Sequence, residues 1–269
     1  MTGPAAEELV IVEDGIEDDH ADGVRTITLN RPEVRNAFNR ALYRAAGGAL
    51  AAADADDAVK VVVLAGAGQG FSAGQDLKEM AAVGRPGESG TSEEHGFQTF
   101  VGALESFSKP LVAAVHGNAI GIGTTMLPYC DLVLVADDAR LRLPFAPLGV
   151  VPEAGSSFTI PHAIGRQQAS YLLLTGAWLD AHGAVAAGLA LRCVPRAELL
   201  AEAHALAVQL AALPSSSLVA TKRLVRAGWL DAARAARSRE EAVFTTLLGH
   251  GASKAALDDF LDRGRAPGE

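Results

Sequence analysis

Near the start of the chain Leu9 to Val12 is a short apolar run, and over Val24 to Asn30 the residues Arg25, Ile27 and Leu29 alternate with Val24, Thr26 and Thr28. A short apolar run and a period of two, which sends successive side chains to opposite faces, each predict a strand. The Arg31-Pro32 pair breaks the second strand, and Phe38 to Asp54 then carries apolar residues at helical spacing in an alanine-rich run. Val59 to Leu64 predicts the next strand. Gly84 to Glu93 is polar, contains glycine and has no period, which predicts a surface loop, and a helical pattern resumes over His95 to Phe107. Pro110 to His116 predicts another strand, followed by a second glycine-rich turn at Gly117 to Gly123 and a helix opening over Gly123 to Tyr129. Short strands are expected at Asp131 to Ala136 and Arg140 to Leu143.

Strand, turn and helix thus recur in order, which favours an α/β core with largely parallel pairing over an all-β sandwich. From Gln167 onward the pattern turns helical, with apolar residues at three-and-four spacing in Ala197 to Leu213, Ser215 to Ala227, Leu230 to Leu248 and Ala252 to Arg263. A sheet-based part, residues 1–196, is therefore expected to precede a helical part, residues 197–269. The last helices are rich in Ala and Leu and short of aromatic anchors, so some of their apolar faces are expected to meet another subunit.

Composition restricts the function. A chain of 269 residues that is 49% hydrophobic and 20% charged can bury a sizeable core, as one large domain or a core with a smaller appendage. Its net charge of −9 argues against a nucleic-acid partner. Cys130 and Cys193 are too few for a disulfide framework and predict buried, reduced thiols. No signal-like segment opens the chain and no apolar run approaches the ~20 residues of a membrane span, so the expectation is a cytoplasmic protein with no membrane contact. No cysteine and histidine spacing suggests a metal.

Candidate chemistry concentrates in Val61 to Lys78, VVVLAGAGQGFSAGQDLK. Gly70 to Gly74 fits the G-x-S-x-G elbow of a serine hydrolase, but Ser72 comes several residues after the strand, and later residues such as Asp180, His182, His204 and His250 have no distinctive setting. Gly68 to Ala73 fits a dinucleotide pattern, yet Glu88, the acid at the required distance, follows no strand. A third reading joins the two glycine-rich turns. Each follows a strand and precedes a helix, so each can aim one backbone N–H at a shared point, forming an oxyanion hole.

Three segments carry a resemblance: ITLNRPEVRNAF at Ile27 to Phe38, GFSAGQDLKEM at Gly70 to Met80, and KPLVAAVHGNAIGIG at Lys109 to Gly123. In order and spacing they resemble the crotonase, or enoyl-CoA hydratase/isomerase, superfamily, and the likeness continues through Tyr129 to Ser157 and a helical tail ending FLDRG. It implies a spiral of ββα units followed by a C-terminal helical oligomerisation region, and a homotrimer or dimer of trimers. It also implies that the N–H groups of Gln75 and Ile122 hold a thioester oxygen, with no cofactor beyond the coenzyme A that an acyl-CoA substrate carries.

Hydratases of this family use two glutamates, and the matching positions here are Thr125 and Phe145. The remaining candidate acid is Glu153 in VPEAGSS, a segment resembling that of Δ3,Δ2-enoyl-CoA isomerases. One carboxylate suffices for double-bond migration, and an apolar setting from Phe145, Leu148 and Val150 is expected to raise its pKa. The plainer alternative is that Glu153 only caps a helix beginning near Ala154. Hydratase, an epoxide or ring isomerase, a serine hydrolase using Ser72, and a binding protein without chemistry remain the competing readings. Asp76 and Asp131 are read as structural acids at a helix start and a strand end, and His116 and His162 as packed side chains. For coenzyme A the resemblance implies a path along Ala73, Gln75, Asp76, Leu77 and Lys78, with Arg35 and Lys78 near phosphate and Phe260 over adenine. It also implies closure of the loop Gly84 to Glu93 over the acyl chain.

Overall fold

The computed structural model describes residues 9–15, 22–82, 96–248 and 251–263. A six-stranded sheet runs through its centre in the order β1 (Val10–Asp14), β2 (Val24–Leu29), β3 (Val61–Gly66), β4 (Leu111–Val115), β6 (Leu132–Ala136) and β9 (Arg192–Val194). Among the described strands of this sheet the β1/β2 pair is antiparallel and the other neighbours are parallel. A second sheet holds three short strands, β5 (Asn118–Ile120), β7 (Arg140–Arg142) and β8 (Trp178–Asp180).

The period of two in the central strands divides the core between two faces. Val62 and Leu64 of β3, Leu111, Ala113 and Val115 of β4 and Val133 and Val135 of β6 enter the main core with α1 (Arg40–Ala55) and α3 (Phe97–Ser106). Their alternates Val61, Val63, Val112, Ala114 and Leu134 meet Leu199, Ala203, Ala207 and Ala211, a stripe at every fourth residue of α8 (Leu199–Ala211). The first helix of the C-terminal part therefore covers the sheet. The other helices are α2 (Leu77–Ala82), α4 (Ile122–Thr125), α5 (Ser156–Ile164), α6 (Arg166–Thr175), α7 (Ala181–Ala187), α9 (Ser215–Ala227), α10 (Leu230–Leu247) and α11 (Gly251–Arg263).

Local signals set most element boundaries. The Asn39 side chain accepts from Leu42 N–H at 2.8 Å and starts α1, as an N-cap does. Four expectations change. The glycine-rich turn at Gly117 to Gly123 contains β5, which exists because Asn118, Ala119 and Ile120 pair with Arg140, Leu141 and Arg142. The helix expected over Gly123 to Tyr129 is a single turn, Ile122–Thr125, followed by a separate turn at Leu127–Tyr129 that carries Pro128. The helical pattern after Gln167 is interrupted by β8 and β9, both held by distant partners. Lastly, α5 begins at Ser156 behind Gly155, so Glu153 does not cap it. The loop expected at Gly84 to Glu93 lies outside the described residues.

Candidate active site

The two glycine-rich segments run side by side. A parallel bridge joins Ser72 to Ala119, with Ser72 N–H donating to Asn118 O at 3.0 Å and Ile120 N–H to Ser72 O at 2.9 Å. Gly74 then lies against Ile120 O and the Gly121 Cα, which brings Gln75 and Ile122, the next residue of each segment, to the same end of the pair. Close approach of the two backbones depends on Gly74, at φ +87°, where a Cβ would stand 2.6 Å from Ile120 O. Among the described residues, neither the Gln75 N–H nor the Ile122 N–H has an acceptor. Ile122 opens α4, where the first N–H groups have no partner within the helix.

Ser72 itself shapes the turn. It is fully buried, and its hydroxyl donates to Asn36 O at 2.9 Å and accepts from Gly74 N–H at 3.1 Å. An oxygen committed in this way is not presented as a nucleophile, which removes the physical basis of the hydrolase reading.

Glu153 lies in the turn before α5 and meets α4 at Thr125, one helical turn after Ile122. Thr125, the last residue of α4, donates from Oγ1 to Glu153 Oε1 at 2.6 Å. The other oxygen, Oε2, is buried and has no partner among the described residues. Glu153 is half-buried as a residue, and the covered part includes this oxygen. Burial pushes its carboxyl up to about 8; the Thr125 bond opposes the rise and the charge of Glu240 adds to it. Phe145 and Val150 are buried in the main core, as their apolar character predicts.

The turn that presents this acid is unusual in its backbone. Ala154 has φ +56° and Gly155 φ +73°, two left-handed residues in succession, the first of which bears a Cβ. Tyr129 braces it by donating from its hydroxyl to Ala154 O at 2.7 Å. From α1, Tyr43 donates to Gln75 Oε1 at 2.9 Å. Burial, then the charges of Glu153 and Glu79, hold the Tyr43 phenol well above the usual tyrosine range. The Gln75 side chain and the Glu153 carboxyl thus share one neighbourhood through Tyr43.

The residues expected along a coenzyme A path surround the first turn. Ala73 N–H donates to Arg35 O at 2.8 Å, Asp76 N–H to Phe38 O at 2.8 Å, and Asp76 Oδ1 accepts from Lys78 N–H at 3.1 Å at the start of α2. Asp76 Oδ2 also pairs with Arg31 at 3.4 Å, so this acid is structural, and Leu77 packs on the main core. Arg35 and Lys78 are exposed and form no ion pair among the described residues. Phe260 belongs to α11, and its side chain lies outside the described residues. A surface cleft of about 450 Å³ beside Thr159, His162 and Trp229 includes none of the expected site residues. His116 is buried and bonds Gly68 O at 3.1 Å, whereas His162 stacks on Phe158 at an exposed position.

Sequence reasoning missed Tyr43, Tyr129 and Glu240 and saw Thr125 only as a missing acid. The spacing of Thr125 from Ile122, one helical turn, could have placed it beside the site. Nothing local marks the other three.

A mixed α/β spiral with paired glycine turns and trailing helices defines a protein of the crotonase type. The chain belongs to the enoyl-CoA hydratase/isomerase family, whose profile matches residues 19–267. An enoyl-CoA hydratase/isomerase from Pseudoalteromonas atlantica T6c has a similar structure, with a TM-score of 0.87 and 36% identity over 97% of this chain and 99% of that one. The 1,2-epoxyphenylacetyl-CoA isomerase of Escherichia coli (strain K12) is 35% identical over 205 residues, 76% of this chain and 78% of its own length. Enoyl-CoA delta isomerase 2 of Rattus norvegicus is 37% identical over 205 residues, 76% of this chain and 52% of its own length.

Proposed function

We propose that this protein is a Δ3,Δ2-enoyl-CoA isomerase in which Glu153 carries one proton between two carbons of the acyl chain. The observation that supports this reading most directly is the Glu153 carboxyl, with one oxygen fixed by Thr125 and the other buried without a partner among the described residues. The ionised carboxylate takes the proton from C2 of a 3-enoyl thioester, and the C2 electrons move to form a dienolate with its negative charge on the thioester oxygen. The N–H groups of Gln75 and Ile122 hold that oxygen, and loss of one such donor typically costs about 3–4 kcal/mol. Glu153 returns the proton at C4, leaving the double bond between C2 and C3.

Hydration by the two-acid route lacks its second acid, because Thr125 and Phe145 occupy the matching positions and both oxygens of the nearby Glu240 accept backbone bonds. The similarity to the 1,2-epoxyphenylacetyl-CoA isomerase supports one further reading, an isomerase of ring or epoxide thioesters. Arg35 and Lys78, exposed beside the first turn, are suited to the phosphates of coenzyme A. Exposed Leu213, Leu224, Val225 and Val243 on and beside the last helices support a homotrimer or dimer of trimers, to be read by light scattering.

The test incubates the protein and Glu153→Gln with 3-enoyl-CoA, 2-enoyl-CoA and an aryl epoxide thioester, separating the products by chromatography and mass. Isomer formed from 3-enoyl-CoA by the parent and not by the variant is expected. Efficient hydration that survives Glu153→Gln overturns the reading.

A further inference from the structure

The turn that presents Glu153 is held from the far end of the chain. Glu240, on α10, is only 6% exposed, and its carboxylate reaches across to the start of α5. Its Oε2 accepts from Gly155 N–H at 2.7 Å and its Oε1 from Ser157 N–H at 2.7 Å. These N–H groups belong to a helix start whose N-cap is a glycine, with no side chain of its own to satisfy them. The backbone of α10 also bears on the turn, since a Cβ at Gly155 would stand 2.8 Å from Ala233 O. With Tyr129 bonded to Ala154 O, the two left-handed residues after Glu153 are held by other elements on each side.

We infer that Glu240 is a positioning residue of this site: it clamps the left-handed turn that presents Glu153 and fixes a second negative charge behind that carboxyl group. The inference rests on the reading of Glu153 as proton carrier. Other charges near the clamp largely answer one another, because Arg237 and Arg234 lie 3.2 and 3.4 Å from the buried Glu105. The remaining titratable groups that feel Glu153 are the Tyr43 and Tyr129 phenols, both pushed up chiefly by burial, with Glu79 acting on Tyr43. Burial raises the Glu153 carboxyl, the Thr125 bond lowers it, and the charge of Glu240 offsets part of that lowering. A carboxyl held in this way keeps its proton long enough to return it to the substrate rather than lose it to water.

Two variants separate clamp from charge. Glu240→Gln removes the charge and keeps the length; Glu240→Asp keeps the charge and shortens the reach. The readouts are kcat/KM for 3-enoyl-CoA on both sides of pH 8, and titration of the Glu153 carboxyl in the resting protein by difference infrared spectroscopy against Glu153→Gln. In Glu240→Gln the acid limb and the carboxyl titration are expected to move down by about half a pH unit, a roughly threefold gain on the acid side relative to the plateau. Glu240→Asp is expected to leave the limb in place and to lower the plateau about tenfold through misplacement of the acid. An unmoved carboxyl titration in Glu240→Gln overturns the electrostatic part, and an unchanged plateau in Glu240→Asp overturns the clamp. If Glu153→Gln keeps full activity, the reading of the reaction fails instead, while the infrared titration still reports whether Glu240 acts on Glu153.

Discussion

Asp131 and Glu153 are both acids at the edges of core elements, and their surroundings treat them in opposite ways. Asp131 Oδ2 accepts from Leu111 N–H at 2.8 Å and from Lys222 Nζ at 2.7 Å. Lys222, itself 7% exposed, also donates to Lys109 O at 2.7 Å, and burial lowers its amine while Asp131 counters that shift. This charge is paired and fastens α9 to the sheet. Among the described residues Glu153 has one donor and one bare oxygen, and it feels the charge of a second acid, Glu240. An acid that pairs with a buried cation stabilises the fold around it, whereas a buried acid left short of partners stores free energy that a substrate can use.

The largest effect that tests this contrast is expected from Glu153→Gln, with kcat/KM for isomerisation falling about a thousandfold. The same variant is expected to melt at a higher temperature. The folded carboxyl is raised from 4.5 to about 8, so its contribution to stability is fully present below the unfolded value and is lost as pH rises through about 8. The amide does not titrate, and the gain in Tm over the parent should therefore be greatest above that pH and disappear in acid. A variant that loses activity and also melts lower at alkaline pH would place Glu153 with Asp131 instead.

Asp131→Asn should do the reverse, costing about 3 kcal/mol in urea unfolding by leaving Lys222 buried without its counter-charge, with little change in kcat. Adding Lys222→Met should recover part of that loss, since the pair is then removed together. Gly74→Ala is expected to reduce kcat about a hundredfold, because its Cβ drives the Gln75 turn away from Ile120 O, while substrate binding measured by calorimetry changes less. The smallest effect is that of Thr125→Val. Loss of the one bond that favours ionised Glu153 should move the acid limb of kcat/KM upward by about half a pH unit, a roughly threefold loss at neutral pH.

Much of this contrast is legible in the sequence. Asp131 was legible as a strand-end acid and Glu153 as the surviving candidate for chemistry, but the partners that separate their roles were not. Lys222 and Glu240 each come from late helices, α9 and α10, whose apolar spacing announces a helix and says nothing about where one charged position lands. The carboxylate that caps α5 comes from Glu240 rather than from Glu153, the acid closest to it in the chain.

By itself the sequence determined what neighbouring residues decide: the apolar runs of the central strands, the helical period of α8 to α11, and the glycines that let two turns approach. These follow from side-chain direction and backbone freedom, which act over a few residues. Tertiary structure alone decided the three-residue strands β5, β8 and β9, too short to specify themselves without their distant partners. It alone decided which acid would be dry, which would be paired, and which would stand behind the reactive one. A carboxyl group takes its proton affinity from the water, donors and charges packed around it, and these are assembled only when the chain has folded.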